Sequence, residues 1–254
     1  MGDFALKKRL DVVLVERGLA ESRTRAAALI LAGRVSVGGH ERAKPGTPVA
    51  EDAEIAVEEP EHPWVSRGGV KLDFGLTHFA IEPKGRVCLD LGASTGGFTD
   101  VLLSRGAARV YALDVGYGQL HARLRNDPRV VVREKVNARF LSRADFPEEP
   151  SLLVADLSFI SLTLVLPAAV PLLAECADVL VLVKPQFEAA RGEVGRGGIV
   201  RDEAVRVRAL ARVTAAAGAL SLASRGSVPS PITGAEGNVE LLAAFRRNPV
   251  TLPR

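Results

Sequence analysis

Four charged residues have types and positions that could do proton chemistry together: Lys71, Asp156, Lys184 and Glu240. Asp156 closes the apolar run Leu152 to Ala155, and Lys184 closes Val179 to Val183. Each is therefore expected at the carboxyl end of a buried strand. Glu240 stands at the start of the run from Val239 to Phe245, and reaches the same edge if that strand runs antiparallel. Lys71 belongs to a helical pattern ahead of the first strand. A partly desolvated lysine crowded by a second cation loses its proton more easily. It can then draw a proton from a weakly acidic hydroxyl, while the carboxylates orient it. That set of groups suits methyl transfer to a ribose hydroxyl.

A second stretch points to a cofactor. Asp90-Leu91-Gly92-Ala93-Ser94-Thr95-Gly96-Gly97-Phe98 follows the apolar run Val87 to Leu89 and precedes an amphipathic run, Thr99 to Leu103. This reads as strand, glycine-rich turn and helix. Glycines allow the backbone to turn sharply and approach a ligand, and the free N–H groups of the next helix then face that ligand. The spacing departs from the dinucleotide fingerprint, because Ser94 stands where a second glycine would be. Asp90 beside the loop repels phosphate and suits a cationic, amino-acid-bearing ligand, which S-adenosylmethionine is. Asp114, twenty-two positions after Gly92, ends a second strand and is placed to receive ribose hydroxyls.

The elements that must carry these groups follow from the apolar runs. Strands are expected at 109–114, 130–132, 152–156, 179–184, 219–223 and 239–245, with helices at 117–124 and 202–217 between them. The runs at 152–155 and 179–183 are apolar throughout, as for strands covered on both faces. The alternation predicts an α/β fold: a doubly wound, Rossmann-like sheet with ligands at the carboxyl ends of its strands. Arg67 and Lys71 flank Gly68-Gly69 at the start of a helix, where cations oppose the helix dipole and an anionic partner is implied.

The totals agree. The chain has 254 residues, 47% hydrophobic and 25% charged, enough for one large domain and a small one, and its net charge is +3. Cys88 and Cys176 read as buried small hydrophobes in a reducing, cytoplasmic setting, with no metal site. No apolar stretch reaches the ~20 residues of a membrane span.

The charge is concentrated at the front. From Met1 to Thr47 there are nine basic and five acidic residues, a surplus of +4. Two short helices, 10–18 and 23–32 (the second capped by Ser22), precede a strand at 34–37. A tight hairpin turn is expected at Gly38-Gly39, and a last strand at 54–57. The pieces in this order, over residues 9 to 57, resemble the αL RNA-binding module of a small-subunit ribosomal protein and of many pseudouridine synthases. That resemblance implies contact with structured RNA through Arg23, Arg25, Arg34 and Lys44. The acidic, proline-bearing segment Glu58 to Pro63 reads as a boundary. The expected organisation is an RNA-binding domain of small α+β type at 1–59, a linker at 60–66 holding Trp64, and a catalytic domain at 67–254.

The order Lys71, Asp156, Lys184, Glu240, with the loop from Asp90 to Phe98, Asp156-Leu157-Ser158-Phe159-Ile160-Ser161-Leu162 and Val183-Lys184-Pro185-Gln186-Phe187-Glu188, resembles the TlyA family over nearly the whole chain. These are RNA 2′-O-methyltransferases with an FtsJ-like catalytic domain. The resemblance implies the four charges as a catalytic tetrad. It implies S-adenosylmethionine held by Asp90, Gly92, Ser94, Gly96, Gly97, Phe98, Asp114, Asn137 and Asp156. It also implies cytidines of 16S and/or 23S ribosomal RNA, free or in ribosomal subunits, as substrate, with Arg67 joining the RNA contacts. His62-Pro63 stands where family members carry an Arg-Ala pair. Rival readings are a membrane-active hemolysin, for which no inserting segment is present, and an RNA-binding factor without catalysis, which would not need the glycine loop. No DNA or membrane partner is expected, and the oligomeric state stays open.

Overall fold

The computed structural model describes residues 7–20, 22–31, 33–39, 44–50, 52–57, 62–234 and 237–249. The chain separates into two compact units, residues 1–63 and 64–254.

In the first unit, β1 (Lys7–Arg9) leads into α1 (Leu10–Glu16) and α2 (Arg23–Leu31), followed by β2 (Val35–Val37), β3 (Pro48–Ala50) and β4 (Ile55–Val57). Leu10, Val13 and Leu14 recur at helical spacing on α1 and pack with Ala26 and Ile30 of α2 and with Val35. Gly18, at φ +69°, ends α1, where a residue with a Cβ would be strained. Residues Lys7–Arg9, where no element is expected from sequence, form β1 and pair antiparallel with β3. One expectation changes. Gly38-Gly39 does turn the chain, but β2 pairs antiparallel with β4 rather than with a strand directly across a two-residue hairpin.

The second unit holds α3 (Gly68–His78), β5 (Val87–Leu91), α4 (Gly97–Ser104), β6 (Arg109–Leu113), α5 (Ala122–Arg125), β7 (Val130–Arg133), β8 (Leu152–Ala155), α6 (Leu162–Ala169), β9 (Asp178–Val183), α7 (Pro185–Glu188), α8 (Glu203–Ala219), β10 (Leu222–Pro229) and β11 (Leu241–Arg247). Its seven-stranded sheet has the order β10-β11-β9-β8-β5-β6-β7. The five strands from β9 to β7 are parallel, and β11 lies antiparallel to both β9 and β10.

Alternate residues of the central strands enter two separate cores. Leu153, Ala155, Val179, Val181 and Val183 pack with α6 and with Val213 and Ala217 of α8. Leu152, Val154, Leu180 and Leu182 face Leu72 and Leu76 of α3 and Val101 and Leu102 of α4. Both faces are thus covered, which is why β8 and β9 are apolar without alternation. The chain leaves β5 for β6 on one side and returns to β8 on the other. The crevice at the carboxyl ends of β5 and β8 is therefore the switch point at which open α/β sheets take ligands.

Local departures from expectation have local causes. The helix expected at 117–124 shrinks to α5, because Gly118 turns the chain at φ +71° and His121 then caps Arg123. The strand expected at 219–223 begins at Leu222, after α8 runs through Ala219. The run after the glycine loop is not amphipathic: α4 starts at Gly97, and seven of its eight residues are buried. Cys88 is buried, but Cys176 is exposed at a loop position with φ +57°.

Candidate active site

All four members of the Lys-Asp-Lys-Glu set line one cleft of about 580 Å³ in the second unit. Asp156 and Lys184 follow β8 and β9, which are parallel neighbours, so both emerge at the same edge. Glu240 immediately precedes β11, and the antiparallel direction of that strand brings its start to this edge. Lys71 sits in the first turn of α3.

The set forms two ion pairs of unlike character. Lys71 Nζ donates to Glu240 Oε2 at 2.5 Å, with the side chains only 10% and 2% exposed. Lys184 Nζ lies 2.6 Å from Asp156 Oδ1, with side chains 11% and 22% exposed. That second contact is off the hydrogen-bonding direction, since Oδ1 has no directed donor. The directed bond of Lys184 goes to Ser158 Oγ at 2.9 Å. The close contacts are therefore between unlike charges, each lysine held by a carboxylate.

The glycine loop is built for close approach of protein to protein. A Cβ on Gly92 (φ +83°) would lie 2.4 Å from the Asp156 carbonyl oxygen, so the β5 and β8 ends meet only with glycine there. A Cβ on Gly96 (φ +100°) would strike Leu124 and Leu120, and one on Gly97 would strike Ser66 Oγ and the Gly69 nitrogen. Phe98 is buried in the core beneath the loop. Among the loop residues Ser94 and Thr95 line the cleft. Segment 64–66, expected as linker, packs on this unit: the Val65 N–H donates to Asp100.

Asp90 is fully buried below the loop. Its Oδ2 accepts from Thr99 Oγ1 at 2.7 Å, while Oδ1 has no partner. Burial, the largest influence, pushes its carboxyl up to about 7, and Thr99 opposes that rise. A buried acceptor with nothing to accept is costly unless a ligand supplies a donor. Asp114 accepts from the Ser94 and Gly116 N–H groups at 2.8 and 2.7 Å. Asn137 is exposed and its Oδ1 caps Arg139 at 3.1 Å.

Sequence reasoning missed several lining residues. Phe159, 91% exposed, stands at φ +65°, a left-handed conformation costing a non-glycine residue roughly 1–2 kcal/mol. Its ring meets Phe187 at 5.3 Å between centroids. Ser158 and Gln186 also line the cleft. Their only sequence signal was proximity to Asp156 and Lys184. Of the residues expected at RNA, Arg67 is exposed at the cleft. In the first unit Arg23 donates to Asp11, which Arg9 also holds; these arginines, Arg9 foremost, pull the Asp11 carboxyl down to about 2. Arg34 is half-buried and Lys44 exposed, while the side chain of Arg25 lies outside the described residues.

A family model for FtsJ-like methyltransferases matches residues 64–247, and one for the S4 domain matches residues 8–55. The chain belongs to the TlyA family of FtsJ-like methyltransferases. The 16S/23S rRNA (cytidine-2′-O)-methyltransferase TlyA of Mycobacterium tuberculosis is 52% identical over 244 residues, 96% of this chain and 91% of that protein. Hemolysin A of Brachyspira hyodysenteriae is 42% identical over 93% of this chain and 99% of its own length. A solved structure of a proposed hemolysin from Streptococcus thermophilus superposes with a TM-score of 0.74 at 41% identity, covering 96% of this chain and 90% of that one. Among the described residues of this TlyA-family chain, no helix is long and apolar enough to cross a membrane, and no His, Cys, Asp and Glu cluster could hold a metal ion.

Proposed function

We propose that this chain transfers a methyl group from S-adenosylmethionine to the ribose 2′-hydroxyl of cytidine in 16S and/or 23S ribosomal RNA. The observation that carries the reading is the cleft in which Lys184, Asp156, Lys71 and Glu240 meet beside the glycine loop. The residues fit the cofactor: the orphaned Asp90 Oδ1 suits its ammonium group, and Asp114, with lone pairs left beyond its two backbone donors, suits the ribose. Gly92, Ser94, Gly96, Gly97 and Phe98 would shape the loop around it, with Asn137 among the residues that would hold it. When bound, the cofactor supplies an electrophilic methyl group on a sulfonium.

In this reading Lys184, in its neutral form, takes the proton from the 2′-hydroxyl. Asp156 and Ser158 hold its nitrogen. Lys71, fixed by Glu240, adds a positive charge to the cleft in which negative charge develops on the ribose oxygen. The exposed Phe159 ring offers a surface on which a splayed base can stack. Residues 1–59 would act as the RNA-binding domain, with Arg23, Arg25, Arg34 and Lys44 on phosphates, joined by residues 60–66 to a catalytic domain at 67–254, where Arg67 continues the contact. A ribosomal substrate places the protein in the cytoplasm.

The test is methylation mapping on ribosomal RNA from cells with and without the protein, paired with calorimetry of S-adenosylmethionine binding. A cytidine 2′-O-methyl mark that depends on the protein is expected, together with saturable cofactor binding. An identical methylation map in both cells, or no binding, overturns the reading.

A further inference from the structure

We infer that Glu188 is a positioning residue that holds the Asp156-bearing loop against the Lys184-bearing turn. The inference rests on the methyltransferase reading of the cleft. Two segments carry the Lys184–Asp156 pair. One is the loop from Asp156 to Leu162 between β8 and α6. The other is Lys184 followed by the single turn of α7. They touch at three successive levels.

Lys184 reaches Asp156 and Ser158 at the first level. Phe187 meets Phe159 at the second. At the third, Glu188 Oε2 accepts from Ser161 Oγ at 2.5 Å and Oε1 accepts from the Leu162 N–H at 2.7 Å. Ser161 is itself the N-cap of α6, through the Thr163 N–H. The Glu188 carboxylate is 2% exposed, and Arg212 of α8 anchors its backbone carbonyl at 3.0 Å.

Physical reasons assign Glu188 more than a packing role. A buried carboxylate is retained only at a cost, because burial raises its pKa against the pull of Ser161 and Leu162. A hydrophobic side chain would cover the same space without that cost. What the carboxylate adds is a directed, two-armed tie at a defined distance. The loop it ties contains the left-handed Phe159, a conformation that persists only when its surroundings over-determine it. Between the tie and Asp156 lie only a few residues of chain, so releasing Ser161 and Leu162 lets Asp156 and Ser158 drift from Lys184. Misplacements of about 1 Å can cost ~10²-fold in rate.

The test compares single-turnover methylation of a ribosomal RNA fragment by the full chain and its variants. Glu188→Ala is expected to lower the single-turnover rate by ~10- to 100-fold, with cofactor affinity by calorimetry and RNA affinity unchanged. Glu188→Gln, which keeps an acceptor for the Leu162 N–H and a hydrogen bond to Ser161, is expected to restore most of the rate. Ser161→Ala, which cuts one arm from the loop side, should give a smaller loss of the same kind, and carries the test if Glu188→Ala fails to fold. Lys184→Ala serves as reference. If Lys184→Ala is inactive and Glu188→Ala and Ser161→Ala turn over normally, the positioning role is wrong and the functional reading stands. Rate, cofactor affinity and stability falling together without rescue by glutamine would make Glu188 merely structural. An active Lys184→Ala removes Lys184 as base and the positioning role with it, whereas no methylation by the unaltered chain overturns the functional reading.

Discussion

The cleft holds two pairs of the same groups, a lysine and a carboxylate, in unlike states. Lys71 and Glu240 are sealed and share a directed bond. Lys184 and Asp156 touch at a poor angle, with Asp156 partly open and Lys184 bonded to a neutral hydroxyl instead. A sealed, well-directed pair is a fixed charge, and separating it leaves an uncompensated ion in the interior. A pair with a loose contact and an open side can exchange a proton with something that enters. On the function proposed above, the difference assigns the base to the open pair and the fixed charge to the sealed one.

The largest effect expected from breaking this contrast is at the open pair. Lys184→Ala should lower single-turnover methylation by ~10²–10⁴, with cofactor and RNA affinity little changed. Lys184→Arg should fare nearly as badly, because a guanidinium does not give up its proton. An arginine variant with near-normal rate would make Lys184 a fixed charge and erase the distinction.

The sealed pair should answer in stability. Glu240→Gln leaves Lys71 buried without its counter-charge, and urea unfolding should show a loss of ~3–5 kcal/mol. Asp156→Asn, in the open pair, should lose only about 1 kcal/mol, as for partly solvated pairs. Equal losses would mean that the two pairs are energetically alike.

A third carboxylate extends the comparison. Among the described residues Asp90 has no cationic partner, and its carboxyl is pushed from the ordinary 3.8 up to about 7 by burial. The folded state thus keeps a proton that the unfolded chain releases. Its contribution is fully present below about 4 and is lost as pH rises through about 7. At ~1.4 kcal/mol per unit of pKa the loss amounts to roughly 4 kcal/mol at most. Urea unfolding of the cofactor-free protein between pH 4 and 8 should show this decline, flattened in Asp90→Asn. A cationic ligand at Oδ1 favours the ionised form, so cofactor binding should release a proton and tighten as pH rises towards 7. Parallel pH curves for the two proteins would refute the assignment. The smallest effect is expected from Ser158→Ala, which removes the neutral acceptor from Lys184. A net hydrogen bond of about 1 kcal/mol corresponds to a several-fold drop in rate.

Much of the fold was legible in the sequence because burial on two faces leaves an unmistakable record. The runs that became β6, β8 and β9 are largely apolar, and each is followed by the charged residue, Asp114, Asp156 or Lys184, that marks the sheet's carboxyl edge. Glycines 18 and 33 fell where helices must stop, and the order of Lys71, Asp156, Lys184 and Glu240 was readable before any coordinates. Turns and strand partners were less so. The shortened α5 and the pairing of β2 with β4 depend on backbone conformation and long-range partners, which leave little periodicity behind.

What only the tertiary structure decided is who meets whom. The sequence determined that two lysines and two carboxylates would share one edge of a doubly wound sheet. It could not determine which carboxylate each lysine would face. Nor could it show that Gly92 and Gly96 make room for Asp156 and for Leu120 and Leu124, or that Glu188 would tie the two catalytic segments together. Burial patterns are properties of single segments and are written into them. Distances between segments arise from the packing of the whole sheet and its two cores, so a contact spanning 169 positions, such as Lys71 to Glu240, exists only once β11 has turned antiparallel beside β9.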